Sequence, residues 1–369
     1  MAESFDALIL GGGIIGASLA EELSRHGRHV ALIERDRIGA EASTAAAGIL
    51  SSQADVAQPD AFFDLCQASR KMYPRWIEHV QRRSGLSVGY SVDGVLHVAM
   101  NSKEEKLLDK RIRWQLKRGL KVTRLSPREA KRFNAAIDGR IKRAYFFPTE
   151  AQIDNALLMA ALGAACQKAG VETREGVTAT RLRMEGGEIK GVDTDRGAFD
   201  APIVVNCLGS WAGVEGLTPE PLPVVPIRGQ ILVFDGPKGS FRTPVIGERA
   251  YAIQRRDGRV LVGSTLEPAG FHKALTLGGM HEILCGLRHI TSAVNNWTYL
   301  TAWAGLRPCA PDKLPVMGQT SVKGLYVATG HYRHGILLAP VTAHILTELI
   351  LNGRTGFDIE PFSPLRFTK

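Results

Sequence analysis

Residues 7–34 read ALILGGGIIGASLAEELSRHGRHVALIE, and this stretch decides the fold. Ala7 to Leu10 is a short buried-strand pattern that runs into glycine, and Ile15, Leu19 and Leu23 then recur at helical spacing. Gly27 stops that helix as its C-terminal cap, and residues 29–33 form the next strand, ending on Glu34. Strand, helix and strand in that order begin a parallel sheet. Gly11, Gly13 and Gly16 satisfy G-x-G-x-x-G in the context that gives the pattern physical content. Gly11 permits the tight turn, Gly13 lets backbone approach a pyrophosphate, and Gly16 lets helix and strand pack closely. The helix N-terminus then offers free N–H groups and a positive dipole end to phosphate. Glu34 stands about twenty residues on, where a carboxylate accepts hydrogen bonds from a ribose. The bland alternative is a glycine-rich turn with no ligand; the flanking strands, the helix and the terminal Glu34 all favour dinucleotide binding.

Outward from this unit, residues 61–83 and 103–117 read as amphipathic helices, whereas residues 90–100 and 229–234 read as strands, so a second sheet is expected. Residues 155–169 are helical up to Gly170 and lead into strands around 177–184, 191–194 and 203–206. Pro219, Pro221, Pro223 and Pro226 exclude a helix and mark a crossing between domains. No internal repeat is visible.

The 369 residues exceed the usual single domain, so two domains are expected. With 44% hydrophobic and 22% charged residues and no biased tract, disorder is excluded as a global reading. A net charge of +9 attracts anions, nucleic acid and small carboxylates alike. The densest basic stretch, residues 103–132, interleaves Glu104, Glu105, Asp109 and Glu129, which reads as a solvated helical face; no nucleic-acid partner is expected. Cys66, Cys166, Cys207, Cys285 and Cys309 are odd in number and widely spaced, without a Cys-x-x-Cys pair. A reduced compartment, the cytoplasm, fits them. Glu3 and Asp6 replace the basic start of a signal peptide. Residues 336–351 are interrupted by Pro340, His344 and Glu348 and are too short for a membrane span. A soluble protein is expected.

Beyond Glu34-Arg35, the small-residue segment Ala42-Ser43-Thr44-Ala45-Ala46-Ala47-Gly48-Ile49 lets backbone and hydroxyls pass close to a large cofactor. This segment resembles the D-amino-acid oxidase and glycine oxidase family of FAD enzymes. The resemblance continues through Val205-Asn206-Cys207-Leu208-Gly209-Ser210-Trp211-Ala212, Pro226-Ile227-Arg228-Gly229-Gln230 and Trp303-Ala304-Gly305-Leu306-Arg307-Pro308, and it ends with Gly330-His331-Tyr332-Arg333-His334-Gly335-Ile336-Leu337-Leu338-Ala339-Pro340. It covers nearly the whole chain, and within the family it points to the glycine oxidase branch, which supplies an imine to thiamine biosynthesis.

The resemblance implies an α/β fold: a discontinuous Rossmann-like FAD-binding domain (residues 1–86, 150–225 and 310–369) and a smaller α+β substrate domain with a mixed or antiparallel sheet (87–149 and 226–309). It implies that Gly11, Gly13, Ile14, Ile15, Gly16, Glu34, Arg35, Ala42, Ser43, Ala47, Gly48 and Ile49 bind FAD, as does backbone near Ala179. His331, Tyr332, Arg333, His334, Gly335, Ile336 and Leu337 are implied to pass the flavin ring. Gly335 to Pro340 leads into a final helix, with Pro340 suited to its first turn; the helix N-terminus favours negative charge on a reduced flavin.

The expected chemistry follows from the same motifs. Oxidising an amino acid by hydride transfer needs its carboxylate pinned and its α-carbon over the flavin. Arg307 suits the pin, since a guanidinium grips a carboxylate through two parallel hydrogen bonds. The resemblance makes Arg307 the carboxylate-binding arginine, Tyr251 its helper, and Arg333 a neighbour of substrate and flavin. Arg333 taken alone would read as a surface ion pair. Arg249 and Leu266 are expected to line or flank the pocket. No obligatory general base is required. Molecular oxygen is the expected electron acceptor and noncovalent FAD the expected cofactor; a dehydrogenase using another acceptor, an oxidase of sarcosine or D-amino acids, and a flavin-binding protein without turnover are the alternatives. A homotetramer follows from the resemblance alone.

Three further signals carry no expected chemistry. Gly85-Leu86-Ser87-Val88-Gly89 spells G-x-S-x-G, but with a helix before it and a strand after, the reverse of a nucleophile elbow. His331 and His334 lack a third metal ligand. Cys309 reads as an inert thiol.

Overall fold

The computed structural model describes residues 3–138 and 140–368. Its organising layer is a six-stranded sheet in the order Val316–Gln319, Leu325–Thr329, Val204–Asn206, Ala7–Leu10, Val30–Glu34, Glu172–Glu175. All neighbours run parallel except the edge pair Val316–Gln319 and Leu325–Thr329. The apolar run at Ala7–Leu10 is buried throughout because both faces are covered. Ile9, Leu32 and Val205 face helices Ile14–Arg25, Asn155–Ala169 and Gly335–Asn352. Leu8, Leu10, Ala31, Ile33 and Val204 pack instead on Leu182, Val192 and Phe199. Those last three belong to a four-stranded sheet built from Glu3–Ser4, Gly197–Asp200, Glu188–Thr194 and Ala179–Glu185. The result is three layers around one parallel sheet, an α/β fold as expected.

A second body is built on an eight-stranded sheet ordered Thr298–Cys309, Val225–Asp235, Arg259–Gly263, Tyr251–Gln254, Val245–Ile246, Val95–Ala99, Arg143–Phe147, Thr123–Leu125. It is mixed, with one parallel pair between Val245–Ile246 and Val95–Ala99. Helix Leu277–Ile290 inserts Ile283, Leu287 and Ile290 against one face, and helix Ser102–Lys117 lays Leu108 and Ile112 on the other. The remaining surface of Ser102–Lys117 is largely exposed, as a solvated charged helix should be. Arg255 fastens the two bodies together: its guanidinium donates to Ile153 O and Ala47 O, each at 2.8 Å.

Three expectations about elements change. The strand expected over 90–100 begins only at Val95, because Gly94 has φ 73° and breaks the extended run. Pro226 lies inside strand Val225–Asp235; it is tolerated where that strand has a full neighbour on one side only, since Arg259–Gly263 joins no earlier than Ile231.

The third change concerns Pro340, which is not in the first turn of the last helix. That helix starts at Gly335 and continues unbroken through Pro340 to Asn352, 18 residues long and apolar enough to cross a membrane by length and composition. Its apolar residues are instead buried against helices Ile14–Arg25 and Ala61–Ser84. A proline here removes the N–H that would bond Ile336 O. The Tyr73 hydroxyl replaces it, donating to Ile336 O at 2.9 Å, and the Ser69 hydroxyl donates to Leu337 O at 2.5 Å. Both donors stand on helix Ala61–Ser84, which is why the helix survives its proline.

Candidate active site

The glycine loop folds as its spacing requires. Gly11 has φ 103°, and a Cβ there would sit 2.6 Å from Cys207 O; a Cβ on Gly16 would overlap Gly11 O. Gly13 caps helix Ile14–Arg25 without a side-chain hydrogen bond. Ile14 N–H donates to Ser43 Oγ at 2.9 Å, while the N–H groups of Ile15 and Gly16 have no acceptor among the described residues. Unpaired first-turn donors at the positive end of a helix form an anion cradle. Glu34 is fixed at its strand end by Gly12 N–H (2.7 Å) and Asp36 N–H (2.9 Å). Arg35 lies 3.8 Å over the Trp211 ring and pairs with Glu41 at 2.9 Å.

From this cradle a cleft of about 1170 Å³, part of it open to solvent, runs between the two bodies. Gly11, Gly13, Ile14, Ile15, Glu34, Arg35, Ala42, Ser43, Arg307, His331, Tyr332, Arg333, Gly335 and Ile336 line it together. The other sequence candidates fall behind that wall. Gly16 packs helix on strand. Ala47 joins Ile231, Val233 and Ile253 in a small core. Gly48 abuts Ile153 O, and Ile49 pairs with Gln152. Leu337 is buried in the main core, and His334 stands edge-on to Phe62. Ala179 opens the strand opposite Thr194; two residues earlier, Val177 N–H donates to Glu34 O at 3.0 Å. Arg249 and Leu266 are exposed and lie outside the lining. Ser87 is an exposed loop residue just after helix Ala61–Ser84, and no group of three metal-ligating side chains exists among the described residues.

Arg307 projects from strand Thr298–Cys309 across Gly229, its register neighbour's flank on Val225–Asp235. A Cβ on Gly229 would overlap the Arg307 guanidinium, so glycine is what gives this side chain its room. Nη2 donates to Ser264 Oγ at 2.7 Å and Nη1 to Thr265 O at 3.3 Å. Among the described residues no carboxylate lies within ion-pairing distance of it. Its pKa is lowered, mainly by burial, with the nearby charge of Arg333 adding to the effect. Tyr251 stands on the other side of Ser264. Burial pushes its phenol pKa up, and Arg307 and the Ser264 hydroxyl pull it back.

Arg333 is placed differently. Its guanidinium pairs with Asp55 at 3.1 Å, and His334 Nε2 approaches the same carboxylate at 3.5 Å. His331 is buried, its Nε2 lies 3.1 Å from Thr342 Oγ1, and burial pushes its pKa down to about 3. It is a neutral packing group at physiological pH. Ser264 and Asp55 are the partners that the sequence reading did not single out. Ser264 follows strand Arg259–Gly263 as a small polar residue without any pattern, and Asp55 sits in an aperiodic loop far in sequence from Arg333.

An α/β fold with unpaired helix N–H groups, a carboxylate held at the end of the second strand and a glycine-lined cleft defines a dinucleotide-binding protein. The chain belongs to the DAO family of FAD dependent oxidoreductases, whose sequence model matches residues 6–349. It is similar to the bifunctional protein ThiO/ThiG of Synechocystis sp., with 34% identity over all of this chain and 55% of that protein. It is also similar to glycine oxidase of Geobacillus kaustophilus, with 30% identity over 99% of this chain and 98% of the relative. The crystal structure of glycine oxidase from Geobacillus kaustophilus superimposes with a TM-score of 0.96 at 29% identity, covering 100% of both chains. The chain spans about half the length of the bifunctional relatives it matches. The protein is thus an FAD-dependent oxidoreductase of the glycine oxidase and D-amino-acid oxidase type.

Proposed function

We propose that this enzyme oxidises glycine, or a similarly small amino acid or amine, to its imine, which water hydrolyses to glyoxylate and ammonia when glycine is the substrate. The observation that carries the reading is Arg307, a cation facing the cleft with a hydroxyl and a carbonyl for partners and no carboxylate among the described residues. A cation so placed is completed by an anionic ligand, and an amino acid brings one carboxylate.

The proposed division of labour follows the two sheets. Residues 1–86, 150–225 and 310–369 hold FAD, and residues 87–149 and 226–309 cover the substrate. The N-terminus of helix Ile14–Arg25 takes the pyrophosphate and Glu34 the ribose. These residues would hold FAD, which when bound would supply a two-electron acceptor for the α-hydrogen of the amine, the nitrogen-bound proton leaving to water; molecular oxygen is the proposed final acceptor, giving hydrogen peroxide. Arg307 fixes the carboxylate, with Ser264 and Tyr251 holding its orientation, and burial of the cleft walls limits water around the bound amine. No side chain is asked to take a proton from carbon. We take the FAD to be noncovalent, Cys309 being buried and outside the cleft lining.

Anaerobic titration of the yellow protein with glycine, sarcosine, D-alanine and L-alanine tests the reading. Bleaching by glycine with peroxide formed on readmitting air is expected; a flavin that none of these bleaches would overturn it. Arg307→Ala should weaken carboxylate binding by roughly 10²-fold, since each lost hydrogen bond to a charged group is worth about 1.5–3 kcal/mol. Its flavin spectrum should stay unchanged. Acid precipitation checks the noncovalent cofactor: the yellow colour should remain in the supernatant.

A further inference from the structure

Three arginines line the cleft, and two of them already have a carboxylate of the chain itself. Arg35 pairs with Glu41, and Arg333 pairs with Asp55. Only Arg307 among the three lacks such a partner among the described residues. From this asymmetry we infer that Asp55 is a specificity-determining residue: by occupying Arg333 it leaves the site one anion vacancy, so the enzyme takes amines bearing one carboxylate and discriminates against those bearing two. The inference rests on the proposed role of Arg307 and adds to it the class of substrate excluded.

The position of Asp55 is imposed by the surrounding structure. Glu150, fully buried, accepts from Ser52 N–H at 2.7 Å and from Gln53 N–H at 2.9 Å. The Gln115 side chain donates to Gln53 O at 2.9 Å, that of Gln67 to Ser52 O at 3.1 Å, and Trp114 Nε1 to Ala57 O at 3.1 Å. Arg111 donates to Ala54 O. A loop without regular structure is thereby tied on both sides of Asp55 by four neighbouring side chains and a buried carboxylate. These ties present Asp55 to Arg333 and His334 without relying on the ion pair itself. That matters because Arg333 is 39% exposed, and a pair so open to water contributes little to stability. Its consequence is for ligands: a second acidic group reaching Arg333 must displace a carboxylate already in place, and it meets the like charge of Asp55.

The test uses two unreactive ethers, methoxyacetate with one carboxylate and oxydiacetate with two, titrated into the FAD-loaded protein and read from the flavin absorption spectrum. The wild type should bind methoxyacetate at least tenfold more tightly than oxydiacetate. In Asp55→Asn the ratio should shift toward oxydiacetate by tenfold or more, and Asp55→Glu should restore the wild-type order. Because oxydiacetate carries one more negative charge than methoxyacetate, the titrations are repeated at about 0.5 M salt, where general charge effects are screened, and the shift in Asp55→Asn must persist there. An unchanged ratio in Asp55→Asn, with methoxyacetate still bound, overturns the inference and leaves the Arg307 reading standing. If methoxyacetate fails to perturb even the wild-type spectrum, the carboxylate pocket itself is overturned, and this inference with it. Should Asp55→Asn not hold FAD, Arg333→Leu carries the test: it exposes the Asp55 charge and must weaken oxydiacetate more than methoxyacetate. Equal weakening would overturn the proposal.

Discussion

Arg307 owes its reach to a residue with no side chain. Replacing Gly229 by alanine puts a methyl group where the guanidinium lies, and the flexible arginine must swing away. Gly229→Ala should therefore lower carboxylate affinity by at least tenfold while FAD stays bound, which ligand titration of the flavin spectrum can measure. Retained affinity would show that the guanidinium works from another position. His331 supports a pH prediction. Its pKa is lowered from 6.5 to about 3 by burial, so the unfolded chain binds a proton that the folded chain rejects. The stability this residue contributes is present above about pH 6.5 and is lost as pH falls toward about 3. Denaturant midpoints measured between pH 7 and pH 5 should fall, and His331→Gln should reduce that slope, by no more than about 1.4 kcal/mol per pH unit. An equal slope in the variant would rule out His331 as a source. At this scale the sequence revealed the groups whose spacing is local: the glycines, Glu34 and Arg307 within its motif. Asp55 and Ser264 were hidden because their partners lie far away along the chain, and a lone Asp or Ser between aperiodic neighbours carries no local sign of what it will meet.

The last helix was legible as an element and misread at its start. Proline commonly marks a first turn, and that preference would place the helix boundary near Pro340. Tertiary bonds from Tyr73 and Ser69 allow the helix to begin five residues earlier. Tyr73→Phe removes the donor and leaves Ile336 O buried without its partner. The expected cost is about 1–3 kcal/mol in chemical denaturation. A loss below the precision of the measurement would mean that Ile336 O finds another donor. The strand, helix, strand unit at residues 7–34 was read nearly to the residue, because its buried run, glycine turn and helical period agree with one another. Strand starts were less legible: Val95 is set by a glycine turn and by pairing with Arg143–Phe147, which no local pattern encodes.

Neither large sheet is made from one continuous piece of chain. Leu325–Thr329 lies between Val204–Asn206 and Val316–Gln319, and Val204–Asn206 in turn borders Ala7–Leu10. A chain cut after residue 320 should consequently hold no flavin, as judged by absorbance after gel filtration; a yellow truncated protein would refute this. FAD should also raise the thermal midpoint in a concentration-dependent way, because it binds the folded state. The α/β class and two-sheet plan could be read from the alternation of elements, whereas strand order required the structure, since most parallel neighbours of the main sheet meet across more than a hundred intervening residues. That order also has a timing. Translation proceeds at about 5–20 residues per second, so roughly 15–60 s separate the emergence of Glu34 from that of Thr329. Until Val204–Asn206 emerges the apolar strand Ala7–Leu10 lacks one of its two neighbours, and Val204–Asn206 then waits for Leu325–Thr329. The nascent protein therefore spends most of its synthesis with unpaired strand edges, and cofactor loading becomes a late event in its biogenesis, dependent on whatever shields those edges from aggregation.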